Sequence, residues 1–340
     1  MTFATGSAVD LEDLLSKLDT FAQTTHGGWT SIYSPNPDVT NRWFELKKGS
    51  LSFSMRYPSG IGTGDSVSVH HATGSASALT APGAHTADSG SGYNVGTAGS
   101  SANFLSERCV SQMGNGPFPS YYFFADDTSP KDYIYCVVET VTGTFRHFGM
   151  GTLNKFGDNW VGGEFVFGHF QDQNLSAANT DPNTQTLIDG LGTTSERVRG
   201  ATIRIASGLP DQSPAVWGVA TQLASTSMLT DTAGNVRRTI NSGYRSGLAA
   251  QTYGNAIGQG SQGYIAGYPI EVFYRNPTLA RVYLLGHMDD VRAVNNRNFE
   301  PAESVVIGSE TWRIFPVSLK STASVASRSN YSGIMYRQIA

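Results

Sequence analysis

The run Tyr133-Ile134-Tyr135-Cys136-Val137-Val138-Glu139-Thr140 decides the fold class. It is dense in aromatic and β-branched residues, and the turn Thr142-Gly143-Thr144 closes it. Phe145-Arg146-His147-Phe148-Gly149-Met150-Gly151-Thr152-Leu153 returns, residues 154–160 turn again, and Gly162-Gly163-Glu164-Phe165-Val166-Phe167-Gly168 follows as a third strand. Short apolar runs separated by Gly- and Asn-containing turns predict a meander of antiparallel strands. Gly149 and Gly151, inside the returning strand, signal a bulge or a close approach of another backbone. Tyr121-Tyr122-Phe123-Phe124-Ala125 opens this region just upstream. The predicted fold is mainly β, with antiparallel sheets in a sandwich- or barrel-like arrangement and one N-terminal α-helix.

That helix precedes the meander. Leu11, Leu14, Leu15, Leu18, Phe21 and Ala22 fall at spacings of three and four, which predicts an amphipathic helix over residues 8–25. Ser7 is the candidate N-cap, with Asp10 three residues on as an imperfect capping box. His26-Gly27-Gly28 supplies the stop. A hairpin follows, Arg42 to Leu46 against Ser50 to Tyr57 around Lys47-Lys48-Gly49, with Leu51, Phe53, Met55 and Tyr57 in period-2 alternation. Ser66 to His70 reads as another strand. Residues 72–102 are mostly Ala, Gly, Ser and Thr and cannot bury a core of their own, so they read as a long loop or an arm.

Downstream of the meander, residues 171–215 are polar and turn-rich. Tyr268 to Tyr274 and Ala280 to Gly286 read as strands, Ser304 to Phe315 as a hairpin, and Tyr331 to Ala340 as a last strand. The expected division is a helix-plus-meander domain over 1–170 and a second β-rich region over 171–340. In the alternative, the closing strands (276–340) pack back on the first unit and 171–275 is an insertion.

Composition narrows the function classes. Charged residues are 15% of the 340, well below the usual quarter, and there are 38 Gly. Abundant glycine and low charge suit a turn-rich β protein better than a helix-rich α/β enzyme. The net charge is −4 and no Lys/Arg run occurs, which argues against a nucleic-acid surface. No apolar stretch approaches the roughly 20 residues of a membrane span. The N-terminus has no basic region followed by an apolar one, so a cytoplasmic origin is expected. Cys109 and Cys136 are then expected to stay reduced, Cys136 as a small buried hydrophobe.

A search for chemistry yields weak signals. Gly258-Gln259-Gly260-Ser261-Gln262-Gly263 matches GxGxxG, but a dinucleotide site needs a strand before it and a helix after it. His169 with Asp172, and His287 with Asp289 and Asp290, have spacings that a divalent metal could use, yet turn and surface roles outweigh that reading. His70 and His71 are adjacent and would point to opposite faces of a strand. His147 reads as a satisfied structural histidine. Asp126-Asp127, Asp289-Asp290 and Glu139 with Glu164 are the carboxylate pairs that a glycosidase reading would require in one groove. The aromatic surplus (Trp29, Trp43, Trp160, Trp217, Trp312 and 15 Tyr) fits core and protein interfaces better than a sugar cleft. We assign no catalytic, cofactor-binding or metal residue from the sequence, and Arg146, His147, Phe148 and Trp160 are read as fold-defining.

The stretch Tyr133 to Glu139, then Arg146-His147-Phe148-Gly149-Met150-Gly151, then Trp160-Val161-Gly162-Gly163, resembles a signature of virion structural proteins of tailed phages. The Trp43 hairpin and the closing Trp312-Arg313-Ile314-Phe315-Pro316 are similar too, and Met150 stands where that pattern has an aromatic residue. The resemblance covers residues 8–170 and 275–340. It implies a non-enzymatic tail or baseplate component, made in a bacterial cytoplasm and carried in the virion. Its implied partners are tail tube, hub or baseplate subunits and further copies of itself in a symmetric ring. The rival expectations are a capsid-associated or decoration protein, a receptor- or glycan-binding module at the tail tip, and a tail-associated glycan hydrolase.

Overall fold

A computed structural model describes residues 2–34, 41–49, 51–58, 68–73, 84–85, 93–94, 109–128, 131–168, 170–171, 184–185, 201–208, 216–218, 267–276, 281–296, 298–317 and 332–338. These residues form a mainly β, antiparallel protein with one α-helix near the N-terminus. The sheets stack in layers, and none of them closes into a barrel among the described residues.

The central sheet has seven strands in the order Thr2–Ala8, Phe118–Asp126, Tyr133–Val141, Thr144–Thr152, Val161–Phe167, Ala201–Ser207 and Val216–Gly218. The meander is its middle. Tyr133, Tyr135 and Val137 face one core, while Ile134, Cys136 and Val138 face another. A strand covered on both sides gains from apolar residues at every position, so its sequence runs continuously instead of alternating.

One core lies between the central sheet and the closing strands. There Phe124, Tyr135 and Phe165 meet Val291, Phe315 and Tyr336. The closing sheet runs Asn154–Lys155, Arg281–Asn295, Ser332–Gln338, Glu310–Pro316 and Glu303–Ile307, with Gly267–Asn276 paired to Arg281–Asn295. Strands from both ends of the chain therefore share this core. Arg313 adds to the seam, its guanidinium lying 5.2 Å from the Phe3 ring centroid and 5.3 Å from that of Tyr122.

The opposite face of the central sheet carries the helix and a five-stranded sheet, Thr30–Ser34, Asn41–Lys48, Leu51–Pro58, Ser68–Thr73 and Cys109–Gln112. Leu11, Leu14, Leu15 and Leu18 pack with Phe53, Phe123 and Phe148. The Trp43 hairpin pairs Lys48 with Leu51 across its turn. Of the strand expected at Ser66 to His70, the described part begins at Ser68 and runs on to Thr73. Of residues 74–108 only Ala84–His85 and Tyr93–Asn94 are described, as one short pair of strands.

The helix start differs from expectation. Ser7 lies inside a strand, because Thr2–Ala8 pairs antiparallel with Phe118–Asp126. The helix is Leu11–Thr20, and its N-cap is Asp10, whose Oδ1 accepts from the Asp13 amide at 2.8 Å. Asp13 reaches back to accept from the Val9 amide at 2.9 Å. A π-helical turn, Phe21–Thr25, follows and ends at Gly27 and Gly28, both at positive φ. Asp10→Ala should therefore cost about 1 kcal/mol in urea unfolding, the usual loss for a missing cap. Ser7→Ala should change stability by less than about 0.5 kcal/mol, as at ordinary surface positions. The reverse ranking would restore Ser7 as the cap.

Candidate functional site

The seam between the central and closing sheets holds a connected polar network, and the Asp289-Asp290 doublet is its hub. Pairing with Gly267–Asn276 passes from Pro269↔Arg292 directly to Ile270↔Met288. Asp289, Asp290 and Val291 are thus left out of that ladder as a bulge, a device that re-aims side chains. Asp290 takes a φ of 56°, uncommon for any residue but most tolerated by Asp and Asn.

From this bulge the Asp290 carboxylate is held on both oxygens. Oδ2 lies 2.5 Å from Lys131 Nζ and accepts from the Tyr133 hydroxyl at 2.8 Å. Oδ1 accepts from Arg337 Nη1 at 3.1 Å. Arg337 Nη2 also reaches Glu310 Oε1 at 3.1 Å, and Lys131 lies 3.6 Å from Asp126 Oδ2. The result is an alternating chain of charge, Asp126–Lys131–Asp290–Arg337–Glu310, across two sheets. Partial burial of Arg337 opposes its charge, but the hydrogen bond and charge of Asp290 outweigh this and raise its pKa. Burial, then the charge of Asp290, pushes the Tyr133 phenol far above its ordinary range, so it remains a donor.

Asp289 serves the same seam by its backbone and its carboxylate. Its carbonyl accepts from the buried Tyr135 hydroxyl at 2.9 Å, and its Oδ1 accepts from Asn154 Nδ2 at 3.2 Å. His287 Nε2 stands 3.3 Å from the same oxygen. The sequence-predicted trio of His287, Asp289 and Asp290 is therefore split: His287 and Asp289 meet, while Asp290 is turned toward Lys131 and Arg337. No group of three His, Cys, Asp or Glu able to hold a metal occurs among the described residues.

His147 is the second fixture of the seam. It is buried, with Nε2 3.0 Å from the Pro316 carbonyl oxygen and Nδ1 3.0 Å from the Tyr336 hydroxyl. A carbonyl can only accept, so Nε2 carries the proton, and Nδ1 accepts from Tyr336. Burial, assisted by Arg146, lowers the imidazole pKa to about 4, although the Pro316 hydrogen bond works the other way. The neighbouring Arg146 is itself lowered to about 10 by burial and stays charged at neutral pH.

The other candidates lie apart from this network or at its edge. Asp127 lies 3.2 Å from Lys48 and 3.9 Å from His26, whereas Asp126 caps the Thr128 amide at 2.9 Å. Glu139 accepts from Ser120 Oγ at 2.6 Å and from the Gly143 amide at 2.8 Å, fixing a turn. Glu164 sits on another strand, opposite Thr152. Trp160 is buried, with Lys155 Nζ 4.9 Å from its ring centroid. Cys136 is a buried free thiol whose pKa burial pushes well up. The backbones of His70 and His71 lie in the five-stranded sheet. His169, Asp172 and the GxGxxG stretch lie outside the described residues. Lys131, Tyr133, Tyr135, Asn154 and Arg337 were not legible as partners of the doublet, because no local signal links residues so far apart in sequence.

No protein-family model matches the chain, and no curated protein matches it significantly. Among the described residues no helix is long and apolar enough to cross a membrane.

Proposed function

We propose that this chain is a structural component of a tailed-phage virion, a tail or baseplate protein that works by binding neighbouring subunits and copies of itself. The observation that carries the reading is the use made of the signature residues. His147 bridges two sheets, Phe148 fills the helix-side core, Phe167 crowds Gly149, and Trp160 is buried at the seam. These are fixtures of a rigid frame, as an assembly part requires. The charged groups support the same reading, since both oxygens of Asp290 and of Glu139 already receive donors. In this reading the protein is made in the host cytoplasm and resides in the particle.

The test is a cryo-EM map of the intact virion in which this chain is traced. Density in a ring at the tail end, contacting tube or hub, is the expected result. Density on the capsid would replace the proposal with the decoration reading. Absence from the particle would reject a virion role and reopen the glycan-binding and hydrolase readings.

A further inference from the structure

We propose that acidification opens the seam between the central and closing sheets at His147, while the helix-side core of the central sheet stays in place. Two histidines flank that sheet, one on each face, His147 fully buried and His26 partly so, and their surroundings differ. His26, on the helix side, hydrogen-bonds Thr2 Oγ1 at 3.0 Å, stacks on Phe21 at 6.2 Å, and has the Asp127 carboxylate 3.9 Å from its second nitrogen. Burial lowers the His26 pKa too, and Lys48 adds to this, but the Asp127 charge offsets part of the cost, so an imidazolium there would meet a counter-charge. His147 sits instead in the aromatic interior of the seam, stacked on Tyr336 at 5.9 Å and edge-on to Phe315 at 6.2 Å.

Groups facing His147 come from several strands. Tyr336 comes from Ser332–Gln338, and Phe315 and the Pro316 carbonyl come from Glu310–Pro316. Val137 is opposite it on Tyr133–Val141, and its own strand adds the cation Arg146. Protonating Nδ1 turns that atom from acceptor to donor. Tyr336 must then rotate its hydroxyl proton away, toward a cage in which Phe124, Tyr135 and Phe315 lie 5.2, 5.7 and 6.0 Å from its ring. A new charge would also stand in the interior beside Arg146. Both costs vanish when the seam opens and water reaches the ring.

The sign follows from linkage. A lowered pKa in the closed state means that the open state takes the proton first, so the seam is firmest above about pH 6.5 and weakens as pH falls toward 4. The 2.5-unit gap between the ordinary value of 6.5 and about 4 corresponds to a roughly 300-fold rise in the opening equilibrium, complete below the lower value.

Hydrogen–deuterium exchange on the full chain from pH 7.5 to 4, corrected for intrinsic exchange, tests this. The expected result is that amides of Thr311 to Phe315 and Gly333 to Gln338 lose protection first, while those of Leu11–Thr20 keep theirs. His147→Gln, which retains a donor for Pro316 but does not titrate in this range, should remove that pH dependence. Simultaneous loss on both faces, unchanged seam protection, or a Gln variant that behaves like the parent would each overturn the proposal. Should the Gln variant fail to fold, an NMR titration of His147 in the parent protein decides. Protonation coupled to a change at Tyr336 supports the seam opening, and protonation near pH 6.5 with Tyr336 unmoved refutes it.

Discussion

Asp290→Asn is expected to lower the unfolding free energy by about 3 kcal/mol, the low end of the loss when one member of a buried ion pair is removed. Asparagine keeps the shape and tolerates the left-handed φ of 56°, so the loss isolates the charge. Lys131, Arg337 and the Tyr133 hydroxyl would then share a neutral acceptor in a partly dehydrated seam. Lys131 and Arg337 keep about a quarter of their side-chain exposure, which is why the larger values for fully buried pairs are not expected. Asp290→Ala should cost roughly 1 kcal/mol more, the penalty of a left-handed alanine. Urea denaturation of the parent and both variants gives the ranking. A loss below about 0.5 kcal/mol for the Asn variant, the level of an ordinary surface change, would mean that the doublet does not hold the sheets together.

Gly151→Ala is expected to cost about 3 kcal/mol, at the upper end of ordinary overpacking. A β-carbon there would come within 2.6 Å of the Asp132 carbonyl oxygen and 2.6 Å of Tyr133 Cβ. Neither atom is the end of a flexible side chain, so the strand itself must move. At Gly149 the new atom would meet the Phe167 ring at 2.6 Å and the Ile134 carbonyl at 2.9 Å, and the ring can shift in part. Gly149→Ala should therefore cost less than Gly151→Ala. Gly143→Ala is the control: its turn has open space but a φ of 79°, so about 1 kcal/mol of backbone strain is expected. Thermal unfolding of the three variants checks the order, and equal losses at 143 and 151 would contradict the steric account.

These glycines link the sequence to the seam. Tyr133 pairs across the ladder with Gly151, and Tyr135 with Gly149. With no side chains opposite, the two tyrosine rings stack on each other, 4.2 Å apart and 10° from parallel. Their hydroxyls reach the Asp290 carboxylate and the Asp289 carbonyl. A bulge or a close backbone approach was legible in the sequence at Gly149 and Gly151, where the ladder keeps a regular register. The identity of what approached, the Phe167 ring and the Tyr133 backbone, was not.

Local pattern by itself determined the antiparallel meander, the amphipathic helix, the two hairpins and the class of the fold. Each is written in neighbouring residues, as period, turn chemistry or an apolar stripe. Tertiary structure alone decided the rest. Ser7 resembles a cap by its spacing, but pairing with Phe118–Asp126 claims it for a strand and leaves Asp10 to begin the helix. The Asp289-Asp290 doublet was visible only as one carboxylate pair among several. It became a hub because a bulge aims it at Lys131, Tyr133, Tyr135 and Asn154, all more than 130 residues away. His147 was legible as structural, yet its partners, Pro316 and Tyr336, lie 169 and 189 residues on. Contacts of that separation leave no periodic trace, because they depend on which sheet faces stack, and stacking is settled by the summed burial of whole layers.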